Sequence, residues 1–109
     1  MLLGRKQTFR AGSPVGVYWL SRCEGFVVEG REGETGVVEE IVFLEPRRPA
    51  AYVVVGSSRL LGRPRAIAVG EIADVDPWNR RLRLRGSIRA CARRSRRQER
   101  AAPVALDGR

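Results

Sequence analysis

The chain has 109 residues, of which 43% are hydrophobic and 30% are charged, and its formal net charge is +9. A chain of this length predicts one domain with a small core. Its longest apolar run, residues 50–55, is far below the roughly 20 residues of a membrane-spanning helix. Since the N-terminus also lacks the apolar segment of a signal peptide, we expect a soluble protein of the cytoplasm without membrane insertion.

Short strands separated by turn residues dominate the predicted structure. Residues 1–14 are polar and predict a flexible lead-in, and residues 30–36 predict a glycine-rich hairpin turn. The continuous β-branched run at 51–55 predicts the most buried strand. Strands are predicted at residues 15–20, 25–29, 37–44, 51–55, 65–69, 72–75 and 80–85. This pattern is typical of an all-β barrel or sandwich.

Two of these strands carry more detailed predictions. Strict alternation over residues 81–85 places Leu82 and Leu84 in the core and the intervening arginines on the outer face. In residues 38–43 the alternation slips, because Ile41 and Phe43 fall out of phase with Val38. A β-bulge at residues 39–40 would return all three apolar side chains to one face.

Residues 25–43 resemble the opening of a PRC-barrel domain, with glycine, Val-Val, an acidic glycine-rich turn and an acidic-hydrophobic strand. Residues 52–55, 65–69 and 82–84 are similar to the family's later strands, although Ala68 stands where the family customarily has proline. The resemblance covers residues 15–86. It implies a small, partly open meander β-barrel of about five to six strands. It also implies a binding or assembly module, because the family has no shared catalytic residues.

The net positive charge lies entirely at the C-terminal end of the chain. Residues 1–79 hold 10 basic and 10 acidic side chains, whereas residues 80–109 hold 11 basic and 2 acidic ones. Such asymmetry indicates an anionic partner or a solvated tail. The candidate residues for binding an anion or a nucleic acid are Arg81, Arg83, Arg85, Arg89, Arg93, Arg94, Arg96 and Arg97.

Residues 87–109 form the predicted basic extension. Ser87 can cap a helix whose apolar face consists of Ile88, Cys91, Ala92 and Ser95. Because this face is narrow, the sequence is compatible with a marginal helix and with a disordered segment. Residues 103–109 are expected to be disordered. We expect the face to dock only lightly and its removal to cost little stability.

The residue inventory argues against catalysis. The chain has no histidine, and its two cysteines lie 68 positions apart, so no imidazole base, metal-binding histidine or paired thiol is available. The glutamates at 29, 32, 34, 39 and 40 do not have the spacing of a metal-binding loop. We therefore predict no catalytic, metal or cofactor site.

The sequence favours a non-catalytic protein-interaction or assembly module with an unknown protein partner. The alternative is a nucleic-acid-binding or ribosome-associated protein that uses its C-terminal arginines on RNA or DNA. An open barrel with an unpaired strand edge also predicts a homodimer.

Overall fold

The computed structural model describes residues 7–56 and 63–101, and within them the chain is mostly β. The predicted lead-in at 1–6, the loop at 57–62 and the predicted disorder at 103–109 lie outside the described residues. No described helix is long and apolar enough to cross a membrane. The elements are β1 (Phe9–Arg10), α1 (Pro14–Leu20), β2 (Val27–Gly30), β3 (Gly33–Val42), β4 (Tyr52–Gly56), β5 (Arg65–Ala68), a 3₁₀ turn (Val69–Glu71), β6 (Ile72–Asp76), β7 (Arg81–Leu84) and α2 (Ile88–Ala101).

The strands form one mixed sheet in the order β1-β6-β7-β2-β3-β4-β5. The predicted meander is confirmed for β2 to β5, where each strand pairs antiparallel with the next. The sheet departs from a simple meander because β7 pairs in parallel with β2. The described sheet has seven strands, whereas the resemblance implied five to six.

The predicted bulge and the predicted face of β7 are both confirmed. The register between β3 and β4 shifts between Val38 and Glu40, so Glu39 is the extra residue. Val38 is then buried and Ile41 packs against the core, but Phe43 lies beyond the end of β3 and is exposed. In β7, Leu82 and Leu84 are at most 4% exposed. Strand β4 lies between β3 and the edge strand β5 and buries Val53 and Val55 completely, as its composition predicts.

The prediction of a strand at residues 15–20 is wrong, because Pro14–Leu20 is the helix α1. The Ser13 hydroxyl oxygen accepts a hydrogen bond from the Gly16 N–H at 3.0 Å, and Pro14 occupies the first turn. A serine cap followed by proline starts a helix, and this signal outweighs the β propensity of the run after it. Gly16 is required here, since a Cβ would lie 2.0 Å from the Arg10 carbonyl oxygen.

Part of the predicted flexible lead-in also belongs to the folded domain. Phe9 pairs with Val75 and Arg10 with Asp74, which makes β1 an edge strand beside β6. Ala11 is buried and its N–H donates to the Ala73 carbonyl oxygen at 3.1 Å. The sequence did not predict this strand, because the alternation of Phe9, Arg10 and Ala11 is too short to distinguish a strand from a polar lead-in.

The expectation that the C-terminal segment docks only lightly is wrong. Residues 88–101 form α2, and its predicted inner face is at most 5% exposed. Ile88, Cys91 and Ala92 belong to the same hydrophobic cluster as the strand residues. The Ser87 hydroxyl oxygen accepts from the Ala90 N–H at 3.1 Å, which confirms the predicted cap. The segment is therefore part of the core, because small side chains allow α2 to approach the sheet closely.

Candidate anion-binding surface

Two of the predicted arginines on β7 are neutralised by carboxylates. Arg81 forms ion pairs with Glu29 and, at 2.9 Å, with Glu34. The hydrogen bond that Arg81 donates to Glu34, together with the nearby Glu29 charge, raises the pKa of Arg81 above its ordinary value. Arg83 pairs with Asp74 on the neighbouring strand β6. These arginines join adjacent strands across the outer face of the sheet and offer little free positive charge.

Arg85 follows them on the chain and has no carboxylate partner among the described residues. Its Nε donates to the Gly70 carbonyl oxygen at 2.9 Å, and its backbone N–H donates to the Glu71 carbonyl oxygen at 2.9 Å. Both acceptors belong to the 3₁₀ turn. Among these three arginines, Arg81 and Arg83 therefore have carboxylate partners, whereas Arg85, just beyond the end of β7, bonds only to carbonyl oxygens.

Arg94 on α2 faces the body of the domain. Its Nε and its terminal nitrogen contact the Glu71 carboxylate at 2.9 and 2.8 Å. This hydrogen bond, together with the carboxylate charge, raises the pKa of Arg94. Because Glu71 belongs to the 3₁₀ turn, the pair fastens α2 to the same turn that holds Arg85.

Four of the predicted arginines on α2 have no carboxylate partner among the described residues and define a surface that we call the α2 stripe. They are exposed, and no described carboxylate lies within ion-pair distance of any of them. Their spacing along a helix places them on one face over about 12 Å of its axis. The stripe consists of Arg89, Arg93, Arg96 and Arg97.

The glutamates of the predicted turn have structural roles. Glu29 and Glu34 hold Arg81, and the Glu32 carboxylate accepts from the Ile88 N–H at 3.3 Å at the start of α2. No group of three or more metal-ligating side chains occurs among the residues described by the structure. These acids therefore support the strands and helix that carry the arginines.

Both cysteines are free and buried. Burial raises the pKa of the Cys23 thiol to about 12, and burial also raises the pKa of Cys91. A thiol is a nucleophile only when ionised, so both side chains are unreactive near neutral pH. Their role in this fold is packing.

Sequence reasoning missed one further surface, which we call the aromatic groove. Tyr18 and Phe43 are 50% and 48% exposed and line an open cavity of about 700 Å³. The Arg22 guanidinium lies 4.2 Å from the centre of the Tyr18 ring. Arg47 and Arg48 also line it. Sequence reasoning gave no sign of this groove, because the mistaken strand at residues 15–20 did not place Tyr18 of α1 beside Phe43.

The two tryptophans occupy different environments. Trp19 packs against the core, as its position in an apolar run indicates. Trp78 is 73% exposed, and its indole N–H donates to the Gln7 side-chain oxygen at 2.7 Å. Trp78 lies outside both the α2 stripe and the aromatic groove. We therefore assign it no binding role.

In comparisons with known proteins, the chain matches no family model, no curated protein and no solved structure.

Proposed function

We propose that the protein is a non-catalytic binding module of the cytoplasm that holds the phosphate backbone of a nucleic acid against the α2 stripe. The supporting observation is the division of the arginines into paired and unpaired sets. Arg81, Arg83 and Arg94 each have a carboxylate partner, whereas the four stripe arginines have none among the described residues. Arginines that only stabilise a fold are expected to find such partners on a surface that also carries acids.

The support beneath the stripe favours binding over a merely solvated face. On the opposite side of α2, the side chains of Cys91, Ala92 and Ser95 are almost fully buried. The helix that carries the stripe is therefore anchored in the core. A positioned set of guanidinium groups loses less conformational entropy on binding than a flexible tail does. Guanidinium forks match phosphate oxygens, and their contacts release counterions from the nucleic acid.

The test is fluorescence anisotropy with a labelled 24-base-pair DNA duplex and an RNA duplex of the same length. A stripe variant carries Arg89→Gln, Arg93→Gln, Arg96→Gln and Arg97→Gln. A control variant carries the same change at Arg31, Arg47, Arg48 and Arg63, so both proteins have a net charge of +5 (9 − 4). The proposal requires the stripe variant to lose much more affinity than the control variant. Equal losses would mean that overall charge alone attracts the duplex.

The second candidate function is protein interaction or assembly, and the aromatic groove favours it. Exposed aromatic rings beside arginines are enriched at protein interfaces. The test compares the partners recovered by wild type with those recovered by the double variant Tyr18→Ala, Phe43→Ala. Trp78→Ala is the control, because it removes an exposed aromatic ring outside the groove. A partner that all three proteins retain would show that the aromatic groove is not the surface that binds it.

For the fold, we propose a PRC-barrel-like domain. The antiparallel series β2 to β5, with its bulge at Glu39, supports this assignment. The parallel pairing of β2 with β7 and the helix α1 are features that the resemblance did not imply.

The homodimer stays a prediction. Both edges of the sheet are poorly suited to pairing with a second copy of the chain. On edge strand β5 the Ala68 N–H already donates to Ser95, and the opposite edge strand β1 has only two residues. We therefore propose that any dimer packs through faces. Light scattering across the micromolar range measures this, and a monomer throughout would exclude it.

A further inference from the structure

An apolar cavity of about 190 Å³ opens between α1 and the 3₁₀ turn. It exceeds the roughly 150 Å³ of an apolar cavity known to bind benzene. The cavity therefore has room for a small hydrocarbon group. Its aliphatic lining consists of Ala11, Val17, Leu20, Ala50, Val69 and Ile72.

A larger and basic cavity of about 750 Å³ adjoins it, since Gly12 and Arg85 line both. The basic cavity adds Arg10 and Arg83, and Asp74 is the only carboxylate among the described residues that line it. Asp74 pairs with Arg83. Two guanidinium groups, those of Arg10 and Arg85, are left there without a described carboxylate partner.

The Arg85 side chain lies at the boundary between the apolar and the basic cavity. Its Nε is held by the Gly70 carbonyl oxygen, while its terminal nitrogens make no hydrogen bond or ion pair with the described residues. A guanidinium with free terminal N–H groups can bind a planar carboxylate through two parallel hydrogen bonds. A hydrocarbon cavity next to one such fork matches a ligand with an apolar tail and an anionic head.

We propose that this double cavity binds a small amphiphilic anion, a carboxylate with a hydrocarbon chain of roughly six to eight carbons. The chain fills the apolar cavity, and the carboxylate binds Arg85 with Arg10 beside it. This site is independent of the α2 stripe and of the nucleic-acid proposal, because it uses none of the stripe residues.

The glycines of the apolar cavity provide a way to block it. A Cβ at Gly12 or Gly70 would meet nothing within 4 Å, and neither residue has a positive φ. A side chain at either position therefore adds bulk without backbone strain. Gly12→Leu adds bulk where the two cavities meet and keeps the Arg85 side chain, whereas Arg85→Gln removes the anion-binding fork and leaves the apolar lining intact.

The experiment is an NMR titration of the full chain with butanoate, hexanoate and octanoate, and with neutral 1-octanol. We expect binding to tighten about fourfold for each added methylene until the cavity is full. Arg85→Gln is expected to weaken octanoate about tenfold and leave octanol unchanged, and Gly12→Leu to weaken both. Arg93→Gln, a stripe substitution, is the control that changes neither.

Three results would overturn the proposal. One is the absence of saturable shifts for octanoate, and another is equal affinity for butanoate and octanoate. The third is an Arg85→Gln variant that weakens octanol as much as octanoate, because the fork would then act on the fold and not on the anion. Arg10→Gln gives a second measurement of the anion contact if the Arg85 variant unfolds.

Discussion

The Ser95 hydroxyl oxygen accepts a hydrogen bond from the backbone N–H of Ala68 at 2.7 Å, and the same hydroxyl donates to the Cys91 carbonyl oxygen at 2.7 Å. Ala68 lies on edge strand β5, so one side chain of α2 satisfies a donor that the sheet leaves unpaired. This hydrogen bond is buried and joins residues that are 27 positions apart in the sequence. It explains why a helix with a thin apolar face is nevertheless part of the core.

Replacing Ser95 with alanine tests this contact. The change leaves the buried Ala68 N–H without its partner, and an unsatisfied buried donor costs about 1–3 kcal/mol. We expect urea denaturation to show a loss of that size in the free energy of unfolding. Ser21→Ala, which removes a hydroxyl donating to the Tyr18 carbonyl oxygen at an exposed position, should cost much less. Equal effects of the two substitutions would mean that the buried contact contributes nothing particular.

Removing residues 87–109 should unfold the domain or destabilise it by more than about 3 kcal/mol, because Ile88, Cys91 and Ala92 belong to the core. Circular dichroism melting of the protein truncated after Gly86 measures this. The stripe variant is the control, since it changes only the outward face of α2 and should melt close to wild type. A truncated protein as stable as wild type would show that α2 only lies on the surface.

Leu84→Ala tests the face assignment of β7. Leu84 is 4% exposed, and truncating a buried leucine costs about 2–4 kcal/mol. Leu44→Ala is the matched control, since the same change at a side chain that is 48% exposed should have a small effect. Thermal melting compares the two. Similar melting temperatures for both variants would place Leu84 outside the core.

The buried thiol makes stability depend on pH. Burial raises the pKa of Cys23 from 9.0 to about 12, so between these values the unfolded chain loses the proton while the folded chain keeps it. The free energy of unfolding therefore falls as pH rises, by about 1.4 kcal/mol between pH 8 and pH 10 for one thiol. Urea denaturation under reducing conditions should show a smaller fall in Cys23→Ala. A fall as large as that of wild type would contradict the assignment to Cys23.

Sequence reasoning succeeded where one local signal determined the structure. Strict alternation located Leu82 and Leu84, a slip in the alternation located the bulge at Glu39, and helical spacing located the buried face of α2. It failed at residues 15–20, because the prediction relied on their apolar composition and overlooked the helix start at Ser13 and Pro14. Composition could not show how deeply α2 docks, because that depends on the nonlocal contact of Ser95 with Ala68.

The candidate site was only partly accessible to sequence reasoning. The eight arginines were identified as one set, but their division into paired and free members depends on partners distant in sequence. Arg83 meets Asp74 across a strand pair, and Arg94 meets Glu71 after α2 folds back onto the 3₁₀ turn. Positions alone do not show which charges are neutralised. The aromatic groove and the double cavity depend on α1, which the sequence assigned as a strand.

The salt dependence of duplex DNA binding tests the central claim most directly. Each phosphate neutralised contributes about −0.9 to the slope of log K against log salt concentration. We expect wild type to show a steep slope and the stripe variant a slope shallower by up to about 0.9 for each arginine removed. The control variant at Arg31, Arg47, Arg48 and Arg63 should keep the steep slope. A stripe variant that binds with the wild-type slope, or a wild type that does not bind at low salt, would contradict the proposal.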